Sequence, residues 1–298
     1  MRGVLRRRVW ALAVGAVLAS SPVRGELIRI ETTDGTRTAI LVPAGPNPAP
    51  TIIVLHGAAI GAEWTLRGSG FAEAAAGRGF AAVFPEGIYR VWNDGREGGR
   101  ISRVDDVGFL QRLVDWLIGH GVADPARVYL AGVSNGGMMT FRMLCEAAEL
   151  FAGAGTIIAN MPAGIGDGCR PKKPLPIVML NGTADPLVPY GGGGVGFAGR
   201  HGTVWSAEHT AAFLAAVNGC GGPATRPLAT GAPGEATKIV RLDWLSCSSG
   251  RAVTLYRIEG GGHQVFGRTD ILPAILGPGT RLISAPEVML ELFAGTGH

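Results

Sequence analysis

Cysteine is scarce and never clustered. The chain has four, with no CxxC pair and no Cys/His group of metal-ligand spacing, which removes the common zinc frameworks. Positive charge is equally thin past the first segment. Residues 1–25 hold five of the 27 basic residues and none of the 23 acidic ones, so the remainder carries a net charge of −1. Nothing in that balance calls for a nucleic-acid or anionic-membrane partner. The N-terminal apolar run, 9–19, falls short of the roughly 20 residues a bilayer span needs. The run Gly191-Gly192-Gly193-Gly194-Val195-Gly196 is followed by no Lys-Ser/Thr and opens no strand-to-helix turn, so it reads as a surface loop and not as a phosphate cradle. No internal repeat occurs, and no Ser/Thr/Pro linker marks off a second, substrate-binding domain.

What is present begins with an export pattern. Arg2, Arg6, Arg7 and Arg8 precede the apolar run, and small or polar residues 20–25 follow it. This predicts a signal peptide over 1–25, cleaved after Gly25 in preference to Ala19, and a secreted or periplasmic chain. No Cys follows the apolar run, which argues against a lipoprotein. Residues 26–298 are then one domain, and 47% hydrophobic content supplies a core of that size. Four cysteines in an exported chain predict two disulfides. Three pairings are possible, and the two local ones, Cys145–Cys169 and Cys220–Cys247, are preferred.

The richest stretch is Gly132-Val133-Ser134-Asn135-Gly136. An apolar run, 128–131, precedes it and reads as a buried strand. A helical stretch, 136–149, follows. A serine pinched between strand and helix occupies a sharp turn that the flanking glycines permit. The turn lifts its hydroxyl above the sheet edge and puts the Asn135 N–H at the positive end of a helix. That is the setting of a serine nucleophile.

Around this motif strand and helix alternate. Strands are predicted at 27–31 and 38–42, joined as a hairpin at Asp34-Gly35, and at 51–55, 81–84, 154–158, 177–180, 239–242 and 252–258. Helices are predicted at 69–78, 104–120, 207–217 and 286–293. Asp105 and Asp106 open one of these helices, where a carboxylate favours the dipole. The alternation implies an α/β fold: a mainly parallel sheet with helices on both faces and an antiparallel N-terminal hairpin. Ligands of such sheets bind beyond the carboxyl ends of the strands.

A serine at its free pKa needs a base. Where such an elbow crowns a parallel sheet, the chain order is nucleophile, acid, histidine. His263, in Gly260-Gly261-Gly262-His263, alone among the later histidines follows a strand into a loop. Asp185, in Asn181-Gly182-Thr183-Ala184-Asp185-Pro186, follows the 177–180 strand and is the orienting acid; Asp167 and Asp243 are worse placed. The oxyanion donors are the Asn135 N–H and the Ala58 N–H, with Gly57 second to Ala58. His56 is placed on the substrate side of the site, shaping the 56–59 loop. Trp64, Trp92 and Phe266 are candidate pocket walls.

The chain resembles the secreted polyhydroxybutyrate depolymerase-type esterases, related to feruloyl and acetylxylan esterases of the α/β-hydrolase superfamily. The matching stretches are Leu55-His56-Gly57, Val104-Asp105-Asp106-Val107-Gly108-Phe109, the elbow continued through Gly137-Met138-Met139, 181–190, and Gly260-Gly261-Gly262-His263. The resemblance implies the α/β-hydrolase fold and a Ser134–Asp185–His263 triad acting through an acyl-enzyme, with no metal or organic cofactor. The implied partner is a small or oligomeric ester, hydroxyalkanoate or feruloyl/acetyl in kind, met by a monomer free of membrane once the signal is cleaved. The family commonly has a Thr-Trp-Pro-Gly-like run after the base, where this chain has Gln264-Val265-Phe266-Gly267. It often has Cys in the loop after His56-Gly57, where this chain has Ala58. Both departures are expected on the pocket rim. The rival readings are a serine peptidase or dienelactone-type hydrolase on the same scaffold, and a non-catalytic polymer- or carbohydrate-binding protein.

Overall fold

The computed structural model describes residues 25–97, 102–230, 235–267 and 274–295; all of the predicted signal segment but Gly25 lies outside them. In chain order the elements are β1 (Glu26–Thr32), β2 (Gly35–Val42), β3 (Ala49–Leu55), α1 (Gly61–Gly68), α2 (Phe71–Ala76), β4 (Ala81–Pro85), α3 (Asp106–Gly119), β5 (Ala123–Val133) and α4 (Asn135–Ala147). They continue with β6 (Gly153–Ile157), α5 (Ala163–Gly166), β7 (Ile177–Gly182), β8 (Gly193–Gly194), β9 (Thr203–Val204), α6 (Ala207–Val217), β10 (Ala224–Thr230), β11 (Lys238–Trp244), β12 (Val253–Glu259) and α7 (Ala285–Gly295).

Ten strands form one sheet in the order β1-β2-β4-β3-β5-β6-β7-β12-β11-β10. The six central strands, β4 to β12 in that order, are parallel. Both margins are antiparallel: β1–β2–β4 on one side and β12–β11–β10 on the other.

Parallel strands covered on both faces should carry apolar residues without alternation, and β3 shows why. Ile52 and Val54 point into the core shared with α1, α2 and α7, whereas Ile53 and Leu55 point into the core shared with α3, α4 and α6. In β5, Val128 and Leu130 face the second core, and Tyr129 and Ala131 the first. Tyr129 keeps its hydroxyl satisfied by donating to the Phe293 carbonyl at 3.1 Å. The helical stripe Val107, Leu110, Leu113, Val114 and Leu117 is buried in α3, whose first turn is capped by Asp105 accepting from the Gly108 N–H.

Three features depart from the sequence expectation. The predicted helix 69–78 is shorter, α2 alone, because Gly70 adopts a left-handed φ of 83° at its start, and the sequence expectation lacks α1, which ends at Gly68 before it. β10 contains Pro227, which masks it as a strand, yet it lies at the sheet edge with a register shift between Pro227 and Ala229, where a missing N–H is tolerated. Asp106 does more than meet a helix dipole: it is fully buried against Arg37 Nη2 at 2.8 Å.

Both disulfides have formed as preferred, Cys145–Cys169 and Cys220–Cys247.

Candidate active site

The parallel strands all end at one edge of the sheet, and the backbone is strained there and nowhere else among the described residues outside glycine. Ala59, Tyr89 and Arg90, Ser134, and Ile158 have positive φ, and they follow β3, β4, β5 and β6 in turn. Such conformations cost about 1–3 kcal/mol each and collect at functional sites.

Ser134 is the sharpest of them, with φ 54° and ψ −119° between β5 and α4. Its surroundings explain the glycine spelling. A Cβ on Gly132 would overlap the Gly136 carbonyl, one on Gly136 would overlap the Leu55 and His56 carbonyls, and one on Gly137 would strike the Ala159 methyl. Strand and helix therefore approach closely enough to force the turn. The Ser134 N–H donates to the Ile157 carbonyl at 2.9 Å, and its carbonyl accepts from the Met138 N–H.

The structure brings Ser134, His263 and Asp185 together. His263 Nε2 lies 3.0 Å from Ser134 Oγ, and His263 Nδ1 lies 2.7 Å from Asp185 Oδ2. Asp185 can only accept, so Nδ1 carries the proton and Nε2 is left to receive one. The other Asp185 oxygen accepts from the Leu187 and Val188 N–H groups, both at 2.8 Å. That double bond to the backbone fixes which carboxylate oxygen faces the ring. The His263 loop is held in turn: its N–H donates to Leu276 O, and Gln264 Nε2 donates to Gly277 O. The loops after β7 and β12 fit against each other because Gly182 has no Cβ to collide with Gly261, and Ala184 N–H donates to the Gly261 carbonyl at 2.9 Å.

On the other side of Ser134 lies the loop after β3. A Cβ placed on Gly57 would be 3.5 Å from that of Ser134, so the loop adjoins Ser134. Ala59 N–H is used by the Arg90 carbonyl at 2.8 Å; Ala58 is exposed beside it. The Asn135 N–H belongs to the first turn of α4, where the helix supplies no acceptor.

Two of the pocket-wall expectations need correction. Trp92 and Phe266 are 1% and 0% exposed. Trp92 Nε1 donates to the His56 carbonyl at 2.9 Å, and the ring packs on His56 and Phe109. Phe266 belongs to the core under α7, where its carbonyl accepts from Ala285 N–H. The Gln264–Gly267 departure therefore touches the interior and not the rim. His56 is likewise not a substrate contact, being 0% exposed. Its Nε2 accepts from the Gly87 N–H at 2.9 Å and its Nδ1–H donates to the Gly57 carbonyl at 2.8 Å. Burial holds the imidazole below its ordinary pKa, so it stays neutral and serves as a fixed brace between the loops after β3 and β4. Trp64 is half-buried on α1, with its ring beside Gly68.

Of the loop after β4 the sequence singles out only Trp92, though a strand end on the parallel edge points to its neighbours as well. Its residues Trp92, Asn93 and Asp94 are gripped from all sides. Asn93 N–H donates to Asp106 Oδ2 at 2.7 Å, Arg142 Nη1 donates to the Asn93 carbonyl at 2.7 Å, and Asn135 binds Trp92 and Asp94.

Known proteins place the chain in a family. The putative esterase NocK of Nocardia uniformis subsp. tsuyamanensis is 32% identical over 268 residues, covering 85% of this chain and 76% of that protein. The chain belongs to the α/β-hydrolase esterases. Feruloyl esterase B of Piromyces equi is 30% identical over 226 residues, and this esterase spans 40% of that longer relative's length. The solved acetyl xylan esterase from Aspergillus awamori shares the fold, with a TM-score of 0.56 at 17% identity over 80% of this chain and 94% of that one. The prolyl oligopeptidase family model matches residues 104–161 of the esterase, the segment from α3 through the elbow to the loop after β6.

Proposed function

We propose that the chain is an exported carboxylic ester hydrolase working through Ser134, His263 and Asp185. The observation that carries this reading is the unbroken relay from Ser134 Oγ to His263 at 3.0 Å and on to Asp185 at 2.7 Å, at the strained turn on the parallel edge. His263 Nε2 takes the Ser134 proton as Oγ attacks the ester carbonyl. The Ala58 and Asn135 N–H groups receive the oxyanion. The same proton then passes to the leaving alcohol, which departs and leaves an acyl-Ser134. Water, deprotonated by His263, attacks the acyl carbonyl, and the acid leaves as Ser134 recovers its proton. Asp185 orients the ring and stabilises the imidazolium without taking the proton. Two disulfides support export, since such bonds persist in oxidising compartments.

Relatives named as feruloyl and acetylxylan esterases favour feruloyl or acetyl esters of plant polysaccharide, ahead of hydroxyalkanoate oligomers. Ser134→Ala tests the chemistry: turnover of short p-nitrophenyl esters should fall on the order of 10⁶-fold, and activity surviving that change overturns the assignment. Methyl ferulate, acetylated xylan and hydroxybutyrate oligomers, assayed side by side, rank the substrates. The prolyl oligopeptidase match over 104–161 supports a second reading, amide cleavage by the same serine. Aryl amides matched to the aryl esters decide between them, and a larger kcat/KM on the amide overturns the esterase.

A further inference from the structure

The Asn135 side chain takes no part in the relay, yet it is among the most tightly held groups at the site. It is 2% exposed. Its Oδ1 accepts from the Trp92 N–H at 2.8 Å, and its Nδ2 donates to the Trp92 carbonyl at 3.0 Å and to Asp94 Oδ2 at 2.6 Å. Asp94 is 4% exposed and is balanced by Arg96, whose Nε and Nη2 each lie 2.8 Å from Oδ2 and whose N–H donates to Oδ1 at 3.1 Å. Arg96 Nη1 reaches on to the His201 carbonyl at 2.9 Å, beside the β8–β9 hairpin.

We propose that Asp94, clamped by Arg96, is a positioning residue for the oxyanion hole, acting through the Asn135 carboxamide. This rests on the esterase reading above. The reasoning starts from the helix end. Asn135 is the first residue of α4, so its N–H has no intrahelical acceptor, and the peptide that carries it is held from the Ser134 side by the Met138 N–H on the Ser134 carbonyl. It follows a strained serine, whose conformation persists only where the surrounding contacts hold it. The Asn135 side-chain anchor holds the Cα end of that peptide, so it and the bond to the Ser134 carbonyl together set the direction of the Asn135 N–H. A carboxylate can only accept, so Asp94 requires Nδ2 to face it and thereby turns Oδ1 towards the Trp92 N–H. The Arg96 guanidinium neutralises the buried carboxylate, which keeps a bare negative charge from opposing the oxyanion forming nearby.

The test compares the native chain with Asp94→Ala, Asp94→Asn, Asn135→Ala and the Asp94→Ala/Asn135→Ala double variant. Active serines are counted with a fluorophosphonate. Then kcat and KM per labelled serine are measured on a short p-nitrophenyl ester, with the Ki of an aryl boronic acid, whose tetrahedral adduct sets an oxygen in the oxyanion position. Deleting one oxyanion donor lowers turnover by about 10²–10³-fold, and misdirecting one costs less. Asp94→Ala should therefore lower kcat about 10–100-fold with KM within about threefold, and weaken the boronate by the same factor as kcat. Asp94→Asn, which keeps an accepting oxygen, should recover part of the loss. The double variant should be no slower than Asn135→Ala, since both act along one route. Native kcat per labelled serine and native boronate affinity in Asp94→Ala, with only the melting temperature lowered, overturn the proposal and leave the esterase reading standing. Should Asp94→Ala fail to fold, the same readouts on Asp94→Asn decide. A native chain whose Ser134 is unlabelled and which cleaves no ester overturns both readings together.

Discussion

His56 and Asp185 show how one residue's environment sets what the site tolerates. The folded-state pKa of His56 lies below its ordinary 6.5, chiefly through burial. The unfolded chain therefore binds the proton first as pH falls. The stability this residue contributes is fully present above pH 6.5 and is lost as pH drops from there through the lower folded-state value. Urea unfolding of the native chain and of His56→Gln between pH 8 and 5 should show the native midpoint falling more steeply below 6.5, with parallel slopes excluding the assignment. Asp185 offers a cleaner kinetic contrast. In Asp185→Asn the amide oxygen can keep the Leu187 and Val188 N–H bonds, which turns the amide nitrogen towards His263 Nδ1. A donor there reverses the histidine tautomer and leaves Nε2 protonated, unable to receive from Ser134. A triad so altered loses turnover on the order of 10⁴-fold. The melting temperature should move by no more than a few degrees, and a loss of less than tenfold in kcat contradicts the role.

At the scale of the element, the strand–turn–helix around Ser134 was legible because its constraints are local. Glycine spelling, an apolar strand and an amphipathic helix all lie within some twenty residues, and each says the same thing. The backbone clash at Gly136 gives that spelling a measurable edge. Gly136→Ala must push its Cβ into the Leu55 and His56 carbonyls, which are backbone and cannot yield without moving β3. Gly119 ends α3 with nothing within 4 Å of an added Cβ and no left-handed φ. Gly119→Ala should stabilise by about 0.4–1 kcal/mol by restricting the unfolded chain, while Gly136→Ala should destabilise by more than 2 kcal/mol. Paired urea melts check both signs, and equal effects at the two positions refute the packing account. Elsewhere local signals failed for stated reasons. Pro227 concealed β10, whose place at the edge is a property of the sheet. Trp92 and Phe266 sit in loops by sequence, and only the tertiary contacts, the His56 carbonyl for one and α7 for the other, turn them inward. Asp94 gave no sequence signal beyond its place after a strand, because Asn135 meets it only once β4 and β5 lie in one sheet, and the local contact with Arg96, two residues on, marks no site by itself.

Over the whole molecule, the parallel core gathers loops from β3, β4, β5, β7 and β12 at one edge, so His263 reaches Ser134 across 129 residues of sequence. Chain order together with a place in a loop after a strand singled out those residues, because a parallel sheet sends every strand's end to the same side. The same rule fixes what lies far from the chemistry. β12 runs parallel to β7 and enters the sheet at Val253, so Cys247, just before it, sits at the edge opposite His263. Cys220 follows α6 and pairs with it, closing a loop of sequence separation 27. This bridge ties α6 to the antiparallel margin where β11 and β10 have no parallel neighbours. Its contribution should be to stability alone, roughly 3–4 kcal/mol on the chain-entropy model. In a domain of this size that corresponds to a melting temperature about 10 °C lower. The Cys220→Ser/Cys247→Ser chain should melt lower by that amount yet keep native kcat and KM at 25 °C. A variant that melts normally would show the loop already constrained by the sheet. One that loses turnover while still folded would show that the two edges communicate, contrary to a rigid parallel core that isolates the site from its opposite end.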